Sequence, residues 1–137
     1  MTSLTDTTSG KTGGRDALLL VARLLLAALF VLAGLSKLGT AGPTTAYIAS
    51  VGLPMPEIIY YATIAIEAVG GLLLIAGFKT RYTAVALGLF SIAAGVIFHT
   101  DFADQIQITM FLKNLAIAGG MFALAASGPG RLSVDRG

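Results

Sequence analysis

The sequence predicts an all-α integral membrane protein: a four-helix bundle with a short interfacial helix between the first and second spans. Three observations predict it. The 137 residues are 55% hydrophobic and 12% charged, whereas charged residues make up about a quarter of an ordinary soluble chain. The apolar residues gather into four runs of roughly 17 to 22 residues, each long enough to cross a hydrocarbon core. The few ionisable groups include Arg23, Lys37, Glu67 and Lys113, which fall inside those runs or at their ends. A soluble bundle of four helices apolar all round would need more polar surface than this chain has.

Residues 1–16 are read as a disordered cytoplasmic tail, because MTSLTDTTSGKTGGR has no apolar periodicity. Residues 17–127 form the membrane domain, with Asp16 as the N-cap of its first helix. The run from Ala17 to Leu38 is too long for the apolar region of a signal peptide, and GLSKL is a poor cleavage site, so it is a retained span. Arg23, Ala27, Phe30, Gly34 and Lys37 share one face, expected to point inward. Arg23 lies deep enough to need a buried partner; for Lys37, near the end, burial and snorkelling to the headgroups both stay open.

The stretch after Gly39 is too polar and too broken by Pro43, Pro54 and Pro56 to span. Thr44 or Thr45 can cap a short helix through Val51, with Gly52 ending it and Tyr47 and Ile48 facing the interface. Pro56 suits the first turn of the next helix, and Glu57 its positive end. The second span, Ile58 to Phe78, carries Tyr60, Thr63, Glu67, Gly70, Gly71 and Leu74 on or near one face, and its paired glycines allow close approach of a neighbour. Lys79, Thr80 and Arg81 make a tight basic turn. The third span runs from Tyr82 to about Phe98, with Gly88, Ser91 and Gly95 as a packing stripe. Residues Thr100 to Gln105 form an acidic loop. The fourth span, Ile106 to Ala126, carries Gln107, Thr109, Lys113 and Asn114 in its first half, and residues 128–137 are a short cytoplasmic tail.

Basic residues fix the orientation. Lys11, Arg15, Lys79, Arg81, Arg131 and Arg136 fall on one side under four spans, and Glu57, Asp101 and Asp104 on the other. The expected product is a multi-pass protein of the cell membrane with both termini cytoplasmic. Depth then selects the charges that can meet. At about 1.5 Å rise per residue, Glu67 lies about 14 to 16 Å from either end of its span, Lys113 about 10 Å below the outer surface and Arg23 about 9 Å above the inner one. A structural charge cluster of Arg23, Glu67 and Lys113 is expected, since an unpaired charge at such depth costs about 3 kcal/mol by insertion scales.

The absence of cysteine removes disulfide exchange and thiolate metal sites. A single histidine excludes a haem held by two histidines of one chain, and the net charge of +2 offers nothing to nucleic acid. His99, Asp101 and Asp104 spell H-x-D-x-x-D, but one strong ligand is too little for a metal site, and none is assigned; a proton relay suits His99 better.

Several segments together resemble the DoxX family of small bacterial four-helix membrane proteins: VARLLLAALFVLAGLSKL, YIASVGLPMP, IEAVGGLLLIAGFKTR, HTDF followed by KNLAIAGG, and GPGRLSVD. The resemblance covers nearly everything from Ala17 onward. It implies the four-helix membrane fold, and a link to membrane redox or oxidative-stress complexes. The family takes its name from a subunit of a thiosulfate:quinone oxidoreductase.

Three functions follow. In the first, the chain is a non-catalytic or accessory subunit of a quinone-linked membrane redox complex, with a polar pocket in the outer half of the bundle. Lys37, Glu67, His99, Lys113 and Asn114 are its candidate binding residues, and the stretch Pro43 to Gly52 its roof. Quinone carbonyls need hydrogen-bond donors and quinol formation needs protons, both of which these residues supply. No catalytic residue, metal or intrinsic cofactor is assigned, so quinone is the one cofactor in view and electrons must come from a redox partner protein. Whether the chain is itself part of an enzyme, or pairs with further copies, is left open. In the second, a structural or assembly protein, buried charges only fix packing. The third is a small-solute carrier, for which internal repeats and broken spans are lacking.

Overall fold

The computed structural model describes residues 6–137, with side chains from residue 13 onward; the first five residues of the expected N-terminal tail lie outside the described residues. The fold is all helical: α1 (Asp6–Leu38), α2 (Ala41–Ser50), α3 (Pro56–Ala76), α4 (Thr80–Phe98) and α5 (Gln105–Ser127). All but α2 are long and apolar enough to cross a membrane. Leu25, Leu32, Leu72, Leu89 and Leu112 point outward and stay exposed, as the lipid-facing surface of a membrane bundle requires.

Local chemistry sets the boundaries. Pro56 and Glu57 open α3 as expected, and Asp104 caps α5 by accepting from the Ile106 N–H at 2.9 Å. Gly77 closes α3 in the left-handed region, φ 69°, with the Phe78 N–H reaching Leu73 O at 3.0 Å, a Schellman closure that only glycine adopts without strain. Two caps are placed differently from expectation. Asp16 lies inside α1, which begins at Asp6. The interfacial helix starts at Ala41, so Thr45 is inside it and returns its hydroxyl to Ala41 O at 2.7 Å; Pro43 is tolerated because first-turn N–H groups have no intrahelical acceptor.

The spans form two antiparallel pairs. α1 packs chiefly on α3, and α4 on α5; the pairs meet more sparsely along α3/α4 and α1/α5. The predicted inward faces are the buried ones: Arg23, Ala27 and Phe30 on α1, and Tyr60, Glu67, Gly70, Gly71 and Leu74 on α3. Gly71 lets α1 and α3 touch, because a Cβ there would stand 3.1 Å from Val31 N and 3.2 Å from Ala27 O. Gly88 and Gly95 do the same for α4, receiving Phe122 and Asn114 of α5, as a small-residue packing stripe should.

The core is concentrated at one end. Ala27, Phe30, Leu74, Ala84, Leu87, Met121 and Leu124 make a continuous cluster, all in the half of the bundle that carries the two termini. Toward the α2 end a cavity lies between the pairs, and α2 lines it too, burying Ile48.

Candidate functional site

The site is built where α1 and α3 approach closely at Gly34. A Cβ on Gly34 would lie 3.3 Å from the Glu67 Cβ, so Lys37, one turn on, stands only about 4.5 Å above the acid along the axis. Its Nζ donates to both carboxylate oxygens, at 3.0 and 2.9 Å. Glu67 is nearly closed to the surroundings at 6% exposure, and Lys37 is partly covered. The Tyr60 hydroxyl donates to the backbone carbonyl of Lys37, fixing the end of α1 over the ion pair.

This pairing corrects the expected cluster of Arg23, Glu67 and Lys113. Axial depth brought Arg23 and Lys113 within reach of the acid and left Lys37 open to burial or snorkelling; the stagger of α1 and α3 decides it. In fact α1 stops about four residues beyond the Glu67 level, while α3 continues about eleven residues past it, or about 16 Å. The extra length of α3 flanks α2 instead of α1. Among the described residues the Lys37–Glu67 contact is the one ion pair.

Arg23 is fully buried but lies about two turns of α3 away from the acid. Its guanidinium donates to Leu74 O at 3.0 Å, to Ile75 O at 3.3 Å and to Leu132 O. It therefore meets the negative end of the α3 dipole, where a cation is favoured. Leu132 belongs to the chain's last ten residues, read from sequence as a tail, which fold back over this end of the bundle. Val134 N–H donates to Ala76 O at 2.9 Å, Arg131 N–H to Asp16 Oδ1 at 3.1 Å, and Asp135 takes the Lys79 and Thr80 N–H groups at 2.9 and 2.8 Å. The Thr80 amide above all, then the Lys79 amide, holds the Asp135 carboxyl below the usual carboxylate range. Arg81 adds two bonds to the last carbonyls of α5, Ala125 and Ala126, at 3.0 and 2.8 Å.

The other candidates gather at the opposite end. Lys37, Glu67, His99, Lys113 and Asn114 all line one cavity of about 510 Å³, within the range of small-molecule sites. Its walls are mostly apolar, with Phe30, Ile66, Phe90, Ile97 and Ile117 among them, and Thr44, Tyr47 and Ile48 of α2 form the roof. Tyr47 ties the roof to α4 by donating to Phe98 O at 2.7 Å and packing on the Phe98 ring at 5.6 Å. His99 sits in the wall, its Nδ1 3.1 Å from Gln107 Oε1. The two acids of H-x-D-x-x-D instead serve local turns, Asp101 with Ala103 N–H and Asp104 with Ile106 N–H; no group of three His, Asp or Glu side chains gathers among the described residues. Lys113 makes no hydrogen bond or ion pair there and stands exposed on α5.

Sequence patterning found the buried faces but missed two devices. Tyr60 was placed on the correct face without its bond to the end of α1, since no pattern encodes a contact made through helix stagger. Of the folded-back C-terminus only the GPGR turn was read, and its Gly128 and Gly130 both adopt positive φ, as a tight reversal requires.

The sequence model of the DoxX family matches residues 18–100. This chain belongs to the DoxX family. The DoxX match spans α1 through α4 and contains the Lys37–Glu67 pair. Over 121 residues this family member is 39% identical to the inner membrane protein YqjF of Escherichia coli strain K12, covering 88% of this chain and 92% of YqjF. It is 35% identical over 127 residues to the inner membrane protein YphA of the same organism, covering 89% and 91%. No solved structure matches it.

Proposed function

We propose that this DoxX-family protein is a non-catalytic, accessory subunit of a quinone-linked membrane redox complex, lodging a lipophilic molecule's polar head in the cavity beneath α2. One observation carries the reading: five polar or ionisable side chains, Lys37, Glu67, His99, Lys113 and Asn114, face a single cavity whose walls are otherwise mostly apolar. Such a site suits a ligand with an apolar body and one polar end. Lys113 and Asn114 can donate to a carbonyl oxygen, and His99 can move a proton. The chain supplies position, donors and protons, and electrons come from the partner. The orientation proposed places both termini in the cytoplasm and the cavity in the outer half of the membrane.

The test is activity of the partner complex with Lys113→Ala and His99→Ala. Reduced quinone turnover, with the subunit inserted at normal abundance, supports the site; wild-type turnover in both variants overturns it. A second reading, a structural subunit, is favoured by the way Lys37 and Glu67 lock α1 to α3 beside the close approach at Gly34. It predicts that variants at Lys37 or Glu67 lose abundance, while those at Lys113 and His99 have no effect.

A further inference from the structure

The cavity's charges do not balance. Lys37 and Glu67 neutralise each other through two short contacts. Lys113 lines the same cavity without a hydrogen bond or ion pair among the described residues. It stands about 12 Å along α5 from Gln105, where a lone ammonium is poorly solvated unless it snorkels or meets an anion. One positive charge is thus left over on the cavity wall. A neutral guest leaves it uncompensated, whereas an acidic headgroup converts it into a charge-assisted hydrogen bond.

We propose that the cavity takes an amphiphile with an acidic oxygen headgroup, a carboxylate or phosphate, seated on Lys113. This deepens the cavity reading above and rests on it, but not on its redox part. Asn114, the next residue, also faces the cavity and offers an amide N–H₂ as a second donor. The apolar walls take the start of the chain. Its exit is along α3/α4, where Ile66 and Ile97 line the cavity and are also exposed on the lipid-facing surface. The helix pairs meet sparsely at that seam, so a tail can pass between them into the bilayer. The Lys37–Glu67 pair sets selectivity: with its cation already engaged, a doubly charged head finds one anchor, not two.

The test uses the full chain in nanodiscs of neutral phosphatidylcholine, with cis-parinarate fluorescence as reporter and oleate, oleyl phosphate and oleyl alcohol as competitors. Oleate and oleyl phosphate are expected to bind about tenfold more tightly than oleyl alcohol. Lys113→Met should abolish that preference and Lys113→Arg should restore it. Because Lys113 is exposed and unpartnered, neither variant removes an interaction the fold uses. Adding phosphatidylglycerol identifies the source. Competition with oleate assigns the site to a bilayer lipid and unchanged binding assigns it to a free amphiphile, and both results support the acidic headgroup. Equal binding of oleate and oleyl alcohol, or a preference that survives Lys113→Met, overturns the proposal. Ala94→Trp, which fills the cavity, separates the two failures. If equal binding is lost on filling, the cavity reading stands and the charge inference falls; if no probe responds to filling, both fall.

Discussion

Lys37 Nζ lies 3.0 and 2.9 Å from the two carboxylate oxygens of Glu67, joining the C-terminal turn of α1 to the middle of α3. The contact exists because the two helices are staggered and α2 occupies the space above the shorter one. The core cluster extends from it toward the termini and the cavity toward α2, with Phe30 belonging to both.

Breaking this pair from either side leaves a charge at membrane depth without its partner. Lys37→Met and Glu67→Gln should each destabilise the bundle by about 3 kcal/mol. The double variant should lose less than the sum, with a coupling of about 1–3 kcal/mol. Lys113→Met should leave stability within about 0.5 kcal/mol of wild type. Unfolding titrations in mixed micelles measure all four, and a coupling that appears with Lys113 instead of Lys37 would refute the assignment.

How much of this was legible in the sequence depends on the physics involved. Apolar length exposed the four spans, and helical spacing exposed the faces of Arg23, Ala27 and Phe30 on α1 and of Tyr60, Glu67 and Gly71 on α3, because both are properties of a single segment. The partner of Glu67 was not legible, since it depends on the relative height of two helices. Nor was the role of Asp135, which acts across a fold-back set by Gly128 and Gly130. The five residues could be named as one candidate pocket, but the size of the space and its largely apolar walls could not be read, because the packing of one helix pair against the other has no local signature.

Arg23 holds the C-terminal segment to the end of α3. Arg23→Leu leaves Leu74 O, Ile75 O and Leu132 O without that donor, and should cost about 3 kcal/mol or more. Release of the segment should precede global unfolding, so trypsin should cleave after Arg131 in folded protein at a rate the wild type does not show.

The same closure should depend on pH through Asp135. Its folded-state carboxyl lies below the usual range, so the stabilisation is fully present above the unfolded-state value, about 3.9, and is lost as pH falls through the depressed one. Closure should therefore be constant through neutral and mildly acidic pH and weaken only in stronger acid. Hydrogen exchange at the Lys79 and Thr80 amides, corrected for intrinsic rate, should show protection falling there, and Asp135→Asn should remove that dependence.

The proposed orientation predicts that a reporter fused after Gly137 is active only in the cytoplasm, and that one inserted in the loop at Asp101 is active only outside. The reverse pattern would place the cavity in the cytoplasmic leaflet.

The cavity's role as a ligand site is tested most directly by native mass spectrometry of protein taken from its own membranes, wild type beside Ala94→Trp. Ala94 lines the cavity, so an indole there fills space instead of displacing packed core. The wild type should carry one small lipophilic molecule per chain that survives gentle detergent removal, and the filled variant, equally folded, should carry none. A wild type without such a molecule, or a filled variant that retains it, would contradict the account.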